Sequence, residues 1–151
     1  MQIQLDDLTS PESIALVQFH LAGMQANTPP EHVHALPIDQ LRDASIALYT
    51  AWIDGRIAGC GALKALSSTE GELKTMRVLP AFLGQGIGET ILQHLIQVAA
   101  ARGYHTLYLE TGASASFLPA QSLYKKAGFV PCEAFGPYTE TAHSVFMKRD
   151  L

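Results

Sequence analysis

The first residues, MQIQL, alternate polar and apolar side chains, as a half-buried strand does. The period then changes. In SPESIALVQFHLAGM, Ile14, Val17, Leu21 and Met24 recur at helical spacing, with Ser10 suited to the N-cap and Pro11 to the first turn. NTPPEHVHALP is a connection broken by prolines, and IDQLRDA reads as one more short helix. SIALYTAWI and RIAGCGALKAL are apolar, β-rich runs joined by Asp54-Gly55, the strongest short hairpin signal. SSTEG makes a second turn, so ELKTMRV should pair antiparallel with the run before it. Phe19 and Trp52 are expected in the core.

The helical period returns in GIGETILQHLIQVAAARG, where Ile87, Ile91, Leu95 and Val98 form one stripe and Gly103 closes the helix. HTLYLET follows as a strand, and PAQSLYKKAG as a helix with Pro119 at its start and Gly128 at its end. FVPCEAFGPY and HSVFMKRDL complete the chain as a short strand, a loop and a last strand. The order is β, α, α, β, β, β, α, β, α, β, β. It predicts an α/β (α+β) fold with a mixed sheet in one domain spanning residues 1–151. An antiparallel meander comes first, followed by a parallel strand pair joined by a right-handed crossover through the long helix.

Composition narrows the partners. A chain of 151 residues can bury a real core. Its ten basic and fourteen acidic residues leave a formal charge of −4, with no basic block, which argues against nucleic acid. A mildly acidic surface suits a small cationic substrate. The N-terminus lacks the charged and apolar regions of a signal peptide, and no apolar run is long enough to span a bilayer. A cytoplasmic protein is expected. Cys60 and Cys132, outside any CxxC, are expected as reduced and packed thiols.

The candidate chemistry begins at LPAFLGQGIGETIL, where Gly84, Gly86 and Gly88 precede the long helix. A glycine turn running into a helix aims backbone N–H groups and the positive dipole end at an anion. A flexible surface turn would look similar. The P-loop reading fails because no Lys-Ser/Thr follows the glycines. Glu110, about twenty residues on, stands where a dinucleotide-binding fold keeps its ribose acid. Against that reading, the glycines run G-x-G-x-G, and LPAFL separates them from the strand.

A pyrophosphate cradle for coenzyme A fits better. With MRVLPAFLGQGIGETIL and PAQSLYKKAGF, the chain resembles the GNAT superfamily of acetyl-CoA-dependent N-acetyltransferases along essentially its whole length. HAL, GALK, ELKTMRV, LETG, FGPY and SVFM are similar to a bacterial subgroup of that superfamily. The family's glycine signature maps onto Leu83, Gly84, Gln85, Gly86, Ile87 and Gly88, with Leu83 in place of a long polar side chain; Glu89 and Thr90 follow in the helix. Its second motif matches Ala120, Leu123, Tyr124, Gly128 and Phe129, and Phe117 stands where an asparagine is common.

The resemblance implies roles. Acetyl-CoA is the cosubstrate, its pantetheine lying along Met76 to Val78, with a backbone N–H near Val78 polarising the thioester carbonyl. Tyr124 is the general acid for the departing thiolate. For the base, Glu72 and Glu110 are the carboxylate candidates, Glu72 first, with water relays as the alternative. His32 and His34 lack a third metal ligand; no metal is expected, and they could wall the acceptor pocket beneath a closing FGPYTET loop. The expected activity is acetyl transfer to a primary amine of a small molecule or peptide in a ternary complex. The alternative is an acyl-CoA-binding sensor without turnover. A homodimer is left open, and nothing in the sequence identifies the acceptor.

Overall fold

In the computed structural model, which describes residues 1–151, Asp54 and Gly55 both have positive φ (48° and 77°). That is the conformation a tight hairpin requires. The turn joins β2 (Ile46–Ile53) to β3 (Arg56–Ala65), and β4 (Glu70–Val78) pairs antiparallel with β3 after the second turn. β1 (Gln2–Asp6) lies on the outer edge of β2. Beyond β4 the sheet continues with β5 (Thr106–Gly112), β7 (Ser144–Asp150) and the short β6 (Val130–Pro131), in the order β1-β2-β3-β4-β5-β7-β6. The β4–β5 pair is parallel and all its neighbours are antiparallel, as the element order predicts.

Helices cover both faces of the sheet. α3 (Ile87–Ala101) supplies the β4–β5 crossover and buries Ile87, Ile91, Leu92, Leu95, Ile96 and Ala99 in the larger core cluster. It comes unusually close to β3. A Cβ built on Gly61 would stand 2.6 Å from Met76 and 2.8 Å from both Ile91 and Leu95. α4 (Leu118–Lys126) packs at the same face, and Gly103 and Gly128, both at positive φ, end the two helices as expected.

The opposite face carries α1 (Pro11–Asn27) and the one-turn α2 (Ile38–Leu41) over Leu48, Ile57, Cys60 and Ala62. Ser10 caps α1 by accepting from the Ser13 N–H at 3.1 Å. Here the face differs from the expected stripe. α1 buries Ser13, Leu16, Val17 and His20, while Ile14 and Met24 are only half-buried. Polar partners rotate the helix. Asp6 at the end of β1 accepts from Ser13 Oγ at 2.6 Å and from Thr50 Oγ1 at 2.9 Å, and Arg77 holds His20 from below. With that rotation Phe19 comes to the surface, 42 % exposed, rather than into the core, and Trp52 is half-buried.

One irregularity shapes the middle of the sheet. Cys60 faces Arg77 and Ala62 faces Lys74, so two residues of β4, Thr75 and Met76, stand opposite the single Gly61. Thr75 sits in this bulge at φ +55°, a strained conformation for a β-branched residue. The Cys60 thiol donates to its carbonyl at 3.1 Å.

Candidate active site

The bulge comes where β4 and β5 part. Their parallel pairing runs from Glu70↔Thr106 to Leu73↔Leu109 and ends there. Beyond that point β4 bends with Thr75 while β5 continues along β7 to Gly112. The sheet therefore opens into a wedge in its centre, holding a cavity of about 520 Å³. Lys74 to Val78 line it on one side, Glu110 and Thr111 on the other, with Phe117, Leu123 and Tyr124 closing the α4 end. The loop glycines and the second half of α1 complete the wall.

The free edge of β4 offers hydrogen bonds. Leu79 donates its N–H to Ala58 O on β3 at 2.8 Å, so strand alternation turns the Val78 N–H to the other edge, into the wedge. At the mouth lies the glycine loop. Gly84 and Gly86 have φ of +77° and +76°, and nothing stands within 4 Å of where their Cβ atoms would be. Gly86 is the N-cap of α3, and the first inward hydrogen bond there is Thr90 N–H to Gly86 O, at 3.1 Å. The N–H groups of residues 84–89 therefore have no backbone acceptor. Six successive donors at a helix N-terminus, with open space before them, fit a pyrophosphate.

The expected site residues do not all reach the cavity. Met76, Val78, Leu83, Gly84, Gly86, Ile87, Gly88, Glu89, Phe117, Tyr124 and Glu110 line it. Gln85 and Thr90 lie outside the lining; Thr90 Oγ1 is turned back onto Gly86 O at 3.0 Å. The Phe117 ring rests on Gly112, where a Cβ would come within 2.1 Å of it. Leu83 is 63 % exposed and offers no polar group. The Tyr124 phenol is almost fully buried, and no hydrogen bond from the protein engages its hydroxyl. Burial, above all, raises its pKa well beyond the usual range, so it remains protonated.

The two carboxylates differ. Glu72 is buried outside the lining, and its Oε2 accepts from Lys74 Nζ at 3.1 Å and from the Tyr138 hydroxyl at 2.7 Å. Lys74 also donates to Tyr138, at 2.7 Å, which closes a ring of three side chains. Glu110 faces the cavity with no counterion of its own. Burial pushes its carboxyl above the ordinary range, and the Lys74 ammonium offsets this only in part.

His32 and His34 lie beside the wedge rather than in it, against the loop after β6. His32 stacks on His143 at 4.3 Å, and His34 meets the edge of Tyr138 at 5.0 Å. No group of three or more His, Cys, Asp or Glu side chains is placed to hold a metal ion. No helix is long and apolar enough to cross a membrane.

Sequence reasoning did not single out His20, Lys74, Arg77 or Tyr138. The only signal for Arg77 was a strong charge inside the otherwise apolar TMRVL of the strand that leads to the loop.

Known proteins share this architecture. Residues 14–129 match the Acetyltransferase (GNAT) family. The chain is 46 % identical over 151 residues to the uncharacterised N-acetyltransferase YsnE of Bacillus subtilis strain 168, covering all of both chains. A Klebsiella pneumoniae crystal structure, assigned as an acyl-CoA N-acyltransferase, is similar with a TM-score of 0.80 and 31 % identity, covering 99 % of this chain and 97 % of that one. A GNAT acetyltransferase of Elizabethkingia anophelis, crystallised with acetyl-CoA bound, superposes with a TM-score of 0.74 at 23 % identity, covering 99 % of this chain and 97 % of that one. The wedge, the glycine loop and these likenesses agree: the chain belongs to the GNAT family of acetyltransferases.

Proposed function

We propose that the protein transfers the acetyl group of acetyl-CoA to a primary amine in a ternary complex. The observation that carries this reading is the wedge itself. A free strand edge, the glycine loop with its unpaired N–H groups, a protonated phenol and a raised carboxyl border one cavity. Acetyl-CoA supplies the activated thioester, and the N–H groups of residues 84–89 would take its pyrophosphate. The inward N–H of Val78 would polarise the thioester carbonyl, a role that oriented backbone donors perform well in a dry site.

The proton bookkeeping then falls to two side chains. The amine arrives as an ammonium and must lose a proton before its nitrogen can attack. We place the base at Glu110 rather than Glu72, because Glu110 faces the cavity and Glu72 is occupied by Lys74 and Tyr138. As the N–C bond forms and the C–S bond breaks, the nitrogen loses its second proton, which through water replaces the one that Tyr124 gives up. Tyr124, the protonated phenol facing the cavity, donates to the departing thiolate. The balance is one amide, one thiol and one proton released to solvent.

The test is a screen of amine acceptors that follows release of free CoA, run on the wild type and on Tyr124→Phe. With an accepted amine, the variant should lose kcat by about ten- to a thousand-fold, the range of general acid catalysis or slightly below it. Its acetyl-CoA dissociation constant should barely move. An unchanged kcat under chemically limited turnover would remove Tyr124 from the reaction.

A further inference from the structure

Two fixed cations line the cavity, and they are not equivalent. Lys74 is neutralised by Glu72. Arg77 has no acidic partner: its only hydrogen bond is from Nε to His20 Nδ1, at 2.9 Å. His20 is buried, and desolvation together with the Arg77 charge pulls its pKa down to about 4, so it accepts as a neutral ring. The other groups facing the guanidinium bring no negative charge. The backbone of Gly23 lies against it, where a Cβ would sit 3.1 Å from Nη2, and the Phe19 ring lies 5.8 Å from Cζ. Its titratable neighbours Cys60 and Tyr124 are both held neutral by burial.

A half-buried guanidinium without an acid is costly, and arginine does not escape the cost by losing its proton. The bond from Nε fixes the fork and leaves both terminal nitrogens free. That arrangement is matched to a planar, bidentate anion. The opposite wall carries Glu110, suited to a cation. The cavity therefore presents one fixed positive and one titrating negative group to whatever enters it.

We infer that the acceptor is an amino acid, a molecule with a carboxylate beside its amine, and that Arg77 holds that carboxylate while Glu110 receives the ammonium. This rests on the reading of the wedge as an amine-acetylation site and names its substrate class. Acetyl transfer proceeds as described above, and the product is an N-acetylated amino acid. Arg77 then sets specificity, and His20 positions it.

The experiment uses matched sets of α-, β- and γ-amino acids, each beside its amide and its decarboxylated amine. CoA release is measured for every compound with the wild type, Arg77→Gln and Arg77→Lys. Calorimetry measures the binding of the same compounds and of acetyl-CoA. At least one series should show free acids favoured over their amides by about tenfold or more in kcat/KM, as expected when a binding site's own polar group is left unpaired. In Arg77→Gln the loss for acids should exceed that for amines by about the same factor, with the acetyl-CoA dissociation constant within about twofold of wild type. Arg77→Lys, which keeps the charge but not the fork, should fall between.

Acids, amides and amines accepted equally would overturn the carboxylate assignment while leaving amine acetylation standing. An Arg77→Gln protein that loses acetyl-CoA affinity and keeps its acid preference would move Arg77 to the cofactor. A protein that binds acetyl-CoA but acetylates none of these compounds would overturn the amino-acid assignment, and amine acetylation falls with it if the wider acceptor screen also releases no CoA. The comparison of acid with amide needs no variant, so a misfolded Arg77→Gln cannot shield the proposal.

Discussion

At the scale of single residues, the two glutamates show how environment divides identical groups. Glu72 and Glu110 both stand in central strands, and the family resemblance favours Glu72, which opens the run ELKTMRV leading to the glycine loop. What separates them is long-range and so invisible in the sequence: Lys74 and Tyr138 close on Glu72, whereas Glu110 is left to the cavity. The pH dependence follows. Burial raises the Glu110 carboxyl, so its base form, and with it the rate, should grow with rising pH through that raised value. Glu110→Gln should remove this limb and lower kcat by about a hundredfold or more, within the range of a lost general base. Stability should move the other way. A carboxyl whose folded-state pKa is raised costs stability at pH values above it and nothing below the ordinary carboxylate range. Thermal melts of Glu110→Gln should therefore exceed wild type near neutrality and converge with it in acid. Glu72→Gln should instead lower the melting temperature and keep the limb. A Glu110→Gln protein that retained the limb would return the base to Glu72 or to water.

At the scale of elements, what could be read in the sequence was whatever depends on neighbours along the chain. The Asp54-Gly55 turn, the apolar stripe of α3 and the glycine ends of α3 and α4 all follow local rules, and each is found where expected. The face of α1 was not legible, because it is set by tertiary polar contacts: Asp6, on the neighbouring strand, draws in Ser13, and Arg77, distant in sequence, draws in His20. The bulge was not legible either, since a threonine at positive φ breaks the local preference that would have marked a turn. Within the glycine loop the three glycines serve different ends, which yields a prediction at this scale. Gly86 needs its left-handed conformation, and a side chain there costs about 1–2 kcal/mol. Gly88 lies inside α3, and a Cβ on it would meet Leu123 and Val78 at 3.5 and 3.6 Å, ordinary contact distances. Gly86→Ala should therefore destabilise the fold and weaken acetyl-CoA binding together. Gly88→Ala should keep acetyl-CoA binding and gain up to about 1 kcal/mol from helix propensity. Calorimetric titration and melts of the two variants decide it; equal losses at both positions would show that the ligand approaches Gly88 as closely as Gly86.

At the scale of the whole molecule, an opened sheet has a mechanical consequence. The antiparallel half β1–β4 and the antiparallel half β5–β7 share only the short parallel register from Glu70↔Thr106 to Leu73↔Leu109. The wedge exists because that register stops, so something else must keep the halves from opening further. α3 joins them through the chain as the β4–β5 crossover, while its own packing lies on β2, β3 and β4. The loop after β6 crosses back: Phe135 and Tyr138 pack against Tyr108 and Phe146, and the Tyr138 hydroxyl ties β4 through Glu72 and Lys74. Burial and the Glu72 charge raise the Tyr138 pKa, so the latch stays protonated and donates at any working pH. Tyr138→Phe keeps the ring and removes the tie. Hydrogen bonds to charged groups contribute about 1.5–3 kcal/mol. At roughly 2–4 °C per kcal/mol for a chain of this size, the melting temperature should fall by several degrees. The change should also be local. Amide hydrogen exchange should quicken along Glu72 to Met76 and in the loop around Phe135, while the β2–β3 hairpin, which the latch does not touch, keeps its protection. A uniform rise in exchange across the sheet would instead mean that Tyr138 only adds to global stability and is no latch between the halves.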